Sequence, residues 1–440
     1  MPQLPSSAPK LNKVRILGIL FGALLLMSAL GVACARATPA EAEASAHLVV
    51  QFADDAAQVR PVSWSGELTR VQALELAGYD VVSDAEGEAI CSIQGQGCPA
   101  NDCFCADNLW AQGQWDGDDW NTDAWPPPAV AEGDVLAFRL GAQPDYSDWG
   151  LSGHLLDAPS YVAASEALAW LRTQQGDDGG YDDGFDPIGA SVRSLLALGA
   201  AGHDPHAWGD PSLSHYLFDS EAERTRAYAQ GSAAAAGKLA IAAQWAGLNP
   251  MDLAGLDLAN EIEASFDPDM GAYGGGSGDT AWAVLGLYAM EQPIPAGVVA
   301  FFQDAQLDDG GWSWNELQSE SEIQHTAIVI QSLLAAGAPP DGTVVSRALT
   351  LVHDAVNPDG GYPYQPSGDS DLGTTAAVVQ ALLSVGHKTN NGEALDAAHA
   401  YLLSMQQEDG SLEAWSPLYA TQEVIPALMG RTFGPLPQGD

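Results

Sequence analysis

Residues suited to holding a small molecule recur at two kinds of place between positions 181 and 415: after turns rich in Asp and Gly, and at the starts of the helices that follow. Aromatic faces with a few polar groups among them are typical of ligand-binding sites. The sequence therefore predicts one such site, with no catalytic residue and no metal ligand assigned. Its candidate residues are Tyr181, Asp279, Trp312, Trp314, His325, Tyr362, Tyr364, Gln365 and Trp415.

Each of these candidates also has a structural interpretation. The turn aromatics Trp312 and Tyr362 would pack one hairpin against the next, as buried rings commonly do. Turn aspartates such as Asp308 and Asp359 would hydrogen-bond their own backbone, and no loop of the sequence has the calcium-binding D-x-[DN]-x-[DN]-G pattern. His325 would either ligate cobalt or another metal, or serve as a polar residue at a helix start.

Besides Cys34, the chain has four cysteines that lie close together in the sequence: Cys91, Cys98, Cys103 and Cys105. Their number is even, and in an exported protein this pattern predicts two disulfides. The alternative is a structural zinc site, but no His lies nearby and the C-x2-C spacing is missing. The sequence favours disulfides without assigning their pairing, and it indicates no cysteine nucleophile.

The first 37 residues have the features of an export signal. Three basic residues precede an uncharged apolar run over 16–33, which is the order found in signal peptides. Three outcomes stay open: cleavage after Ala37, lipid attachment at Cys34, and retention of residues 1–37 as a membrane anchor. The protein is therefore expected at the cell surface, membrane-associated or secreted, with any membrane contact made through this segment or a lipid on Cys34.

The charge of the chain is strongly negative. Fifteen Lys and Arg stand against 58 Asp and Glu, a formal net charge of -43, and four of the basic residues precede the first acidic residue, Glu41. Such a surface repels phosphate backbones and anionic lipid headgroups, so nucleic acid is excluded as a partner. Neutral or cationic ligands fit better, although the charge also serves solubility alone.

An internal repeat organises the larger part of the chain. An Asp- and Gly-rich turn ending in an aromatic or apolar residue is followed by a new helix beginning with a small residue or Thr-Ala. The helix starts at Thr280, Thr326, Thr375 and Ala420 are 45 to 49 residues apart, and Ser232 begins a further member between Ala190 and Thr280. The turns are found at 174–181, 266–273, 305–312, 355–362 and 405–412.

These repeats predict six helical hairpins over residues 158–430. A single hairpin cannot bury its apolar face, whereas six arranged around an axis bury both helix layers without leaving an open end. The alanine-rich second helices suit a crowded inner ring, and the first helices, which carry Trp and Leu, suit an outer ring. The predicted fold is mainly α, a six-hairpin α/α toroid.

A smaller unit over residues 46–141 precedes the toroid. Strand-like segments at 47–52 and 135–140 enclose a helical segment at 69–77, which predicts a small α+β domain. The segments VQALELAG, AICSIQGQG, LWAQGQWDGDDW and EGDVLAFRLG resemble the β-grasp module of transcobalamin and intrinsic factor. The resemblance implies a transcobalamin-like β-grasp domain that contains the four cysteines.

The turn QxxDGGW/Y with its Thr-Ala helix resembles the repeat of the prenyltransferase and squalene-hopene cyclase superfamily, whose toroid the cobalamin carriers share. Cyclases of this superfamily protonate an alkene with the middle Asp of a DxDDTA motif. Here Gly373 and Thr374 precede the matching Thr-Ala, only the last Asp remains at Asp279, and the letters DxDD at 116–119 lie in the small domain. The Cys of the prenyltransferase zinc site and the Cys-Gly-Glu-Gln of thioester proteins are also missing. The chain is therefore predicted not to be an enzyme.

The resemblance to the cobalamin carriers implies a different function. Those proteins enclose the vitamin between a toroid and a small β domain. The sequence therefore predicts an exported binder of a corrinoid (cobalamin) or another hydrophobic small molecule, held between the two domains. The first alternative is a terpene-cyclase-like enzyme without the DxDD acid, and the second is a surface interaction scaffold.

Overall fold

The computed structural model describes residues 44–52, 57–105, 109–122, 126–142, 155–314, 319–387 and 393–436. The predicted leader over 1–37, with Cys34, lies outside these residues. Within the described ranges, no helix combines the length and the apolarity that a membrane crossing requires. The described residues from 44 onward belong to one compact unit.

The first part of this unit is a small β structure around one helix. Its central strands β1 and β8 run parallel, and β2 and β6 pair with them in antiparallel fashion, giving the sheet order β2-β1-β8-β6-β7. Thr69 begins the helix with a capping box that includes Gln72. The elements are β1 Ala44–Gln51, β2 Gln58–Trp64, α1 Arg70–Leu76, β3 Val81–Ser83, β4 Ile90–Ile93, β5 Gln96–Gly97, β6 Leu109–Trp115, β7 Trp120–Asn121 and β8 Val135–Ala142.

Two disulfides join the predicted cysteines, Cys91 to Cys103 and Cys98 to Cys105. The prediction of two disulfides is thereby confirmed, and the structure supplies the pairing that the spacing leaves open. No group of His, Cys, Asp and Glu in the described part of the chain is arranged to hold a metal ion.

The second part is built from helical hairpins. The elements are α2 Ala158–Thr173, α3 Pro187–Ala200, α4 Leu213–His215 with a π-helical turn Tyr216–Ser220, α5 Ala222–Ala229, α6 Ala233–Trp245, α7 Leu258–Glu263, β9 Phe266–Asp267, β10 Ala272–Tyr273, α8 Ser277–Ala289, α9 Gly297–Ala305, α10 Ile323–Ala335, α11 Thr343–Asp354, β11 Tyr362–Pro363, β12 Ser370–Asp371, α12 Leu372–Ser384, α13 Glu393–Ser404 and α14 Pro417–Leu428.

Six of the described helices form a closed inner ring. The order of contacts around the ring is α3, α6, α8, α10, α12, α14 and again α3. Gln422 of α14 closes the ring by donating to the Ala190 carbonyl (2.9 Å) and to Ser194 Oγ (2.7 Å) of α3. The tightest contact joins α6 and α8, where a Cβ at Gly237 would lie 2.0 Å from the Trp282 carbonyl oxygen. The predicted mainly α toroid with a small α+β domain is confirmed.

The β structure packs on the toroid at the end where α3 ends and α2 begins. One face of the sheet, including Val49 and Val59, joins the toroid core, while the other face covers α1. Trp120 donates its indole N–H to the Leu156 carbonyl (2.9 Å), just before α2. A Cβ at Gly202, just after α3, would meet the side chain of Gln58. The end of the toroid at which the inner helices begin is therefore remote from the β structure.

Candidate functional site

The turn aromatics Tyr181, Trp312 and Tyr362 are buried between the outer and inner helices. Their backbone N–H groups donate to the hydroxyl oxygens of Ser191 (2.9 Å), Thr326 (3.1 Å) and Thr375 (2.9 Å), which lie in the first turns of α3, α10 and α12. The same bond recurs in other repeats, so these aromatics fix each turn to its inner helix. Their predicted role in ligand binding stays a prediction.

A first group of site residues lies where α6, α8 and α10 meet. The carboxylate of Asp279 accepts from the N–H groups of Ala234 and Gly275, both at 3.1 Å, and so holds the start of α6. Trp314 lies against Gly278, where a Cβ would come within 2.7 Å of the indole. The ammonium of Lys238 lies 5.5 Å from the Trp314 ring. The structure thus brings Asp279 and Trp314 together around a lysine.

His325 belongs to the same group. Its ring is 4% exposed, its Nε2 lies 3.0 Å from Ser277 Oγ, and its centroid is 5.6 Å from that of Trp314. Burial, with a smaller contribution from the charge of Lys238, lowers the pKa of His325 from 6.5 to about 3. The imidazole is therefore neutral at physiological pH, and its buried Nδ1 has no hydrogen-bond partner among the described residues.

We expect His325 to make the fold sensitive to acid. Its pKa is 6.5 in the unfolded chain and about 3 in the folded chain, so the unfolded state binds more protons between these values. The stabilisation is complete above the higher value and is lost as the pH falls, by up to about 1.4 kcal/mol of unfolding free energy per pH unit. Urea unfolding at about pH 7 and about pH 5 measures this slope. His325→Gln should reduce it, whereas replacing the exposed His353 by Gln should not; equal slopes in all three proteins would contradict the assignment.

A second group lies on the opposite side of the ring, on α3 and α14. The Arg193 guanidinium pairs with Asp183, donates through Nε to Gln422 Oε1 (3.2 Å) and lies 5.1 Å from the ring of Tyr419. Burial raises the pKa of the nearby Glu423 carboxyl, while the charges of Arg193 and Lys238 act in the opposite direction. An acid with a raised pKa is present inside the ring.

Glu423 of α14 and Lys238 of α6 lie close enough for the charge of each to affect the pKa of the other. Burial shifts the pKa of both groups toward the neutral form, upward for the acid and downward for the amine. Both side chains nevertheless keep partial contact with solvent. The two ionisable groups therefore share a partly accessible region between α6 and α14.

Sequence reasoning missed Arg193, Lys238 and Glu423. Each is the only charged residue inside its inner helix, in PIGASVRSLLALGA, AAAAGKLAIAAQW and PLYATQEVIPAL. A lone charge in an otherwise uncharged helix of a buried ring is the signal that could have identified them, because an unpaired charge in a packed core is costly. The repeat position supports this, since Arg193 and Glu423 each stand two residues after the hydroxyl that binds the preceding turn.

The segment that most resembles the cyclase acid motif has a structural role. Asp371 begins α12, and its carboxylate accepts from the N–H (2.7 Å) and the hydroxyl (2.8 Å) of Thr374. This is the geometry of a helix N-cap. The acid inside the ring comes instead from α14.

The remaining candidates lie at the mouth formed by the starts of the inner helices. Tyr364 and Gln365 are exposed, and the Tyr364 carbonyl accepts from the N–H of Ile323 (2.9 Å). Trp415 is 88% exposed, and its ring centroid lies 6.0 Å from that of Phe185. These two rings line a groove of about 330 Å³ where the first and last hairpins meet. The nine candidates thus separate into buried turn residues, an inner group and an exposed rim.

The predicted enclosure of a ligand between toroid and β structure does not match this packing. The inner group and the rim lie where the inner helices begin, and the β structure covers the opposite end. The reason is that the apolar sheet face around Val49 and Val59 is already used in packing on the toroid. A ligand at the candidate residues would therefore be held by the toroid alone.

Comparison with known proteins finds two curated proteins that are similar to part of this chain. No protein-family model matches it. A drimenyl diphosphate synthase of Streptomyces showdoensis is 31% identical over 156 residues, which are 34% of this chain and 28% of the synthase. A second drimenyl diphosphate synthase, of Streptantibioticus cattleyicolor, is 32% identical over 127 residues, 28% of this chain and 23% of the synthase. The chain thus spans about a quarter of the length of these curated relatives.

Two solved structures are also similar. The apo type II terpene cyclase MstE from Scytonema is 14% identical with a TM-score of 0.46, over 62% of this chain and 97% of the cyclase. Haptocorrin in complex with Cbi is 15% identical with a TM-score of 0.39, over 63% of this chain and 69% of haptocorrin.

The curated matches correct one prediction. The absence of a DxDD acid predicts a protein that is not an enzyme, and this prediction is wrong, because both curated relatives are synthases. The motif search fails because it looks for the acid only at the start of an inner helix, whereas residues further along the six inner helices also belong to the ring. In its hairpin repeat the chain resembles the prenyltransferase and squalene-hopene cyclase superfamily, and part of it is similar to the two drimenyl diphosphate synthases.

Proposed function

We propose that this protein is an enzyme of the terpene-cyclase type, in which an acid inside the toroid protonates an alkene of a linear isoprenoid. The proposal rests mainly on Glu423, a partly accessible carboxyl on the inner helix α14 whose pKa is raised by burial. A raised pKa favours the protonated form of the acid, which is the form a general acid requires. The two drimenyl diphosphate synthases support the same class of reaction.

The surroundings of Glu423 suit a proton donor. Burial alone would make the carboxyl a weak acid, whereas the positive charges of Arg193 and Lys238 favour its ionised form. The two cations therefore help the carboxyl to release its proton during the reaction. Arg193 itself is held in place by Asp183 and Gln422.

The proposed reaction conserves atoms and electrons. The Glu423 O–H gives its proton to one carbon of an alkene, whose π electrons form the new C–H bond and leave a carbocation on the neighbouring carbon. The π electrons of the next alkene then form a C–C bond to that carbocation, and the last carbocation loses a proton. The product is a cyclic isomer of the substrate.

Aromatic faces in the interior suit the intermediate cations. Trp282, which is 8% exposed, already lies against a cation, since the Lys238 ammonium is 4.7 Å from its ring. Trp314 is 42% exposed and lies 5.5 Å from the same ammonium. Electron-rich ring faces attract a positive charge that has lost its water. The buried ring of Trp282 is also apolar and keeps out water, which would otherwise quench a carbocation.

The test is incubation of the full chain in D₂O with squalene and, separately, with linear polyprenyl diphosphates, followed by mass spectrometry. We expect a cyclic product that carries one deuterium at the carbon protonated first. Recovery of the linear substrate alone, or of its hydrolysis product, would contradict the proposal.

Binding of a corrinoid or another hydrophobic small molecule is the second candidate function. Its support is the buried Nδ1 of His325, which has no hydrogen-bond partner among the described residues and has the chemistry of a cobalt ligand. Equilibrium dialysis of the same preparation against cobalamin separates the two functions. Retained cobalamin without any cyclised product favours the binder.

A further inference from the structure

The chain continues past α14 across the end of the inner ring that lies opposite the mouth. Phe433 is 7% exposed and stacks on Trp245 of α6, with ring centroids 5.4 Å apart and ring planes within 9° of parallel. Its edge also meets Trp282 of α8 at 5.0 Å. The guanidinium of Arg431 lies 4.8 Å from the Trp245 ring. This segment, 431–434, is a plug in the ring.

Two buried polar residues of the inner helices hold the plug by its backbone. Gln331 of α10 accepts from the N–H of Phe433 through Oε1 (2.8 Å), and Gln380 of α12 donates through Nε2 to the Arg431 carbonyl (2.9 Å). A Cβ at Gly434 would lie 2.7 Å from the Gln331 carbonyl oxygen, so the chain passes α10 at close range. The plug is thus fixed to four inner helices.

Trp282 connects the plug to the proposed reaction chamber. Its ring is in contact with the Lys238 ammonium (4.7 Å) and with Phe433 (5.0 Å). We propose that Phe433 and Trp282 form the floor of the toroid interior, and that Phe433 limits the length of the isoprenoid that fits. This inference rests on the proposed function for its ligand class. It goes beyond that function by naming Phe433 as the residue that selects the length of the isoprenoid.

The floor is tested by binding, independently of catalysis. Linear prenols of increasing length, from geraniol to geranylgeraniol, are titrated into the full chain and followed by tryptophan fluorescence. Phe433→Ala should shift the preferred ligand by about one isoprene unit to greater length, with affinity for the longer prenol rising on the order of tenfold. Phe433→Leu should give a smaller shift and is the variant of choice if Phe433→Ala does not fold.

The matched control is Phe301→Ala. Phe301 is 8% exposed, much like Phe433, but it lies on the outer helix α9. The inference fails if the order of prenol affinities is the same in all variants, or if the wild-type chain binds no prenol. A shift of preferred length without cyclisation would overturn the proposed activity and leave the floor in place. Cyclisation by a protein whose length preference is unchanged by Phe433→Ala would support the proposed activity and contradict the floor.

Discussion

Glu423→Gln is expected to reduce cyclisation by about 10²–10⁴-fold, the usual contribution of a positioned general acid. The amide keeps the shape of the side chain on α14 but has no acidic proton to give to an alkene. Substrate binding should change little, because the apolar walls and Trp282 are untouched. The rate of product formation in a single turnover measures the effect directly.

The pH dependence of the wild-type reaction also tests whether Glu423 is the proton donor. Burial raises the pKa of Glu423, and only the protonated acid is active. Activity should therefore be retained on the acidic side and lost as the pH rises through the raised pKa. Glu408→Gln, at an exposed acid in the turn before α14, is the matched control and should keep both rate and profile. Full activity in Glu423→Gln would assign the proton to another group.

Trp312→Ala should lower the free energy of unfolding by about 3–5 kcal/mol, the range for removing a large aromatic from a core. Trp312 is 1% exposed and packs against Phe302, and its indole N–H donates to the Phe302 carbonyl (2.9 Å). The substitution leaves both a cavity and an unpaired carbonyl in the wall between the helix layers. Urea denaturation followed by circular dichroism measures the loss.

Trp415→Ala is the control for Trp312→Ala. Trp415 is 88% exposed, so its removal should change stability by no more than about 0.5 kcal/mol. The pair separates the two interpretations of the turn aromatics. A small loss for Trp312→Ala together with weakened ligand binding would favour a ligand contact over a structural role.

The hairpins are predictable because their signals are local. The Gln of the repeated turn donates its side-chain amide to a glycine carbonyl of the same turn, as Gln306 does to Gly310 (2.7 Å). The same amide of Gln306 also donates to the Val344 carbonyl (2.9 Å) of the next outer helix. The turn Asp accepts from its own backbone, as Asp359 does from the Gly361 N–H (3.0 Å). A motif that satisfies its own polar groups within a few residues keeps similar letters in most of the repeats.

The interior of the ring is not predictable in the same way. Arg193, Lys238 and Glu423 are far apart in sequence, and the repeated motif does not specify their residue types. They face one another only because α14 returns to α3 and closes the ring. The shifted pKa of Glu423 depends on this closure, since both its burial and its neighbouring cations come from other hairpins.

By itself, the sequence determined the six hairpins, the small α+β unit and the two disulfides, because period, turn chemistry and cysteine count act over short stretches of chain. Only the tertiary structure decided the pairing of the cysteines and the end of the toroid on which the β structure packs. It also decided which charges share the interior and how the segment after α14 closes it. These features depend on contacts between distant hairpins, and burial and charge act through space rather than along the chain.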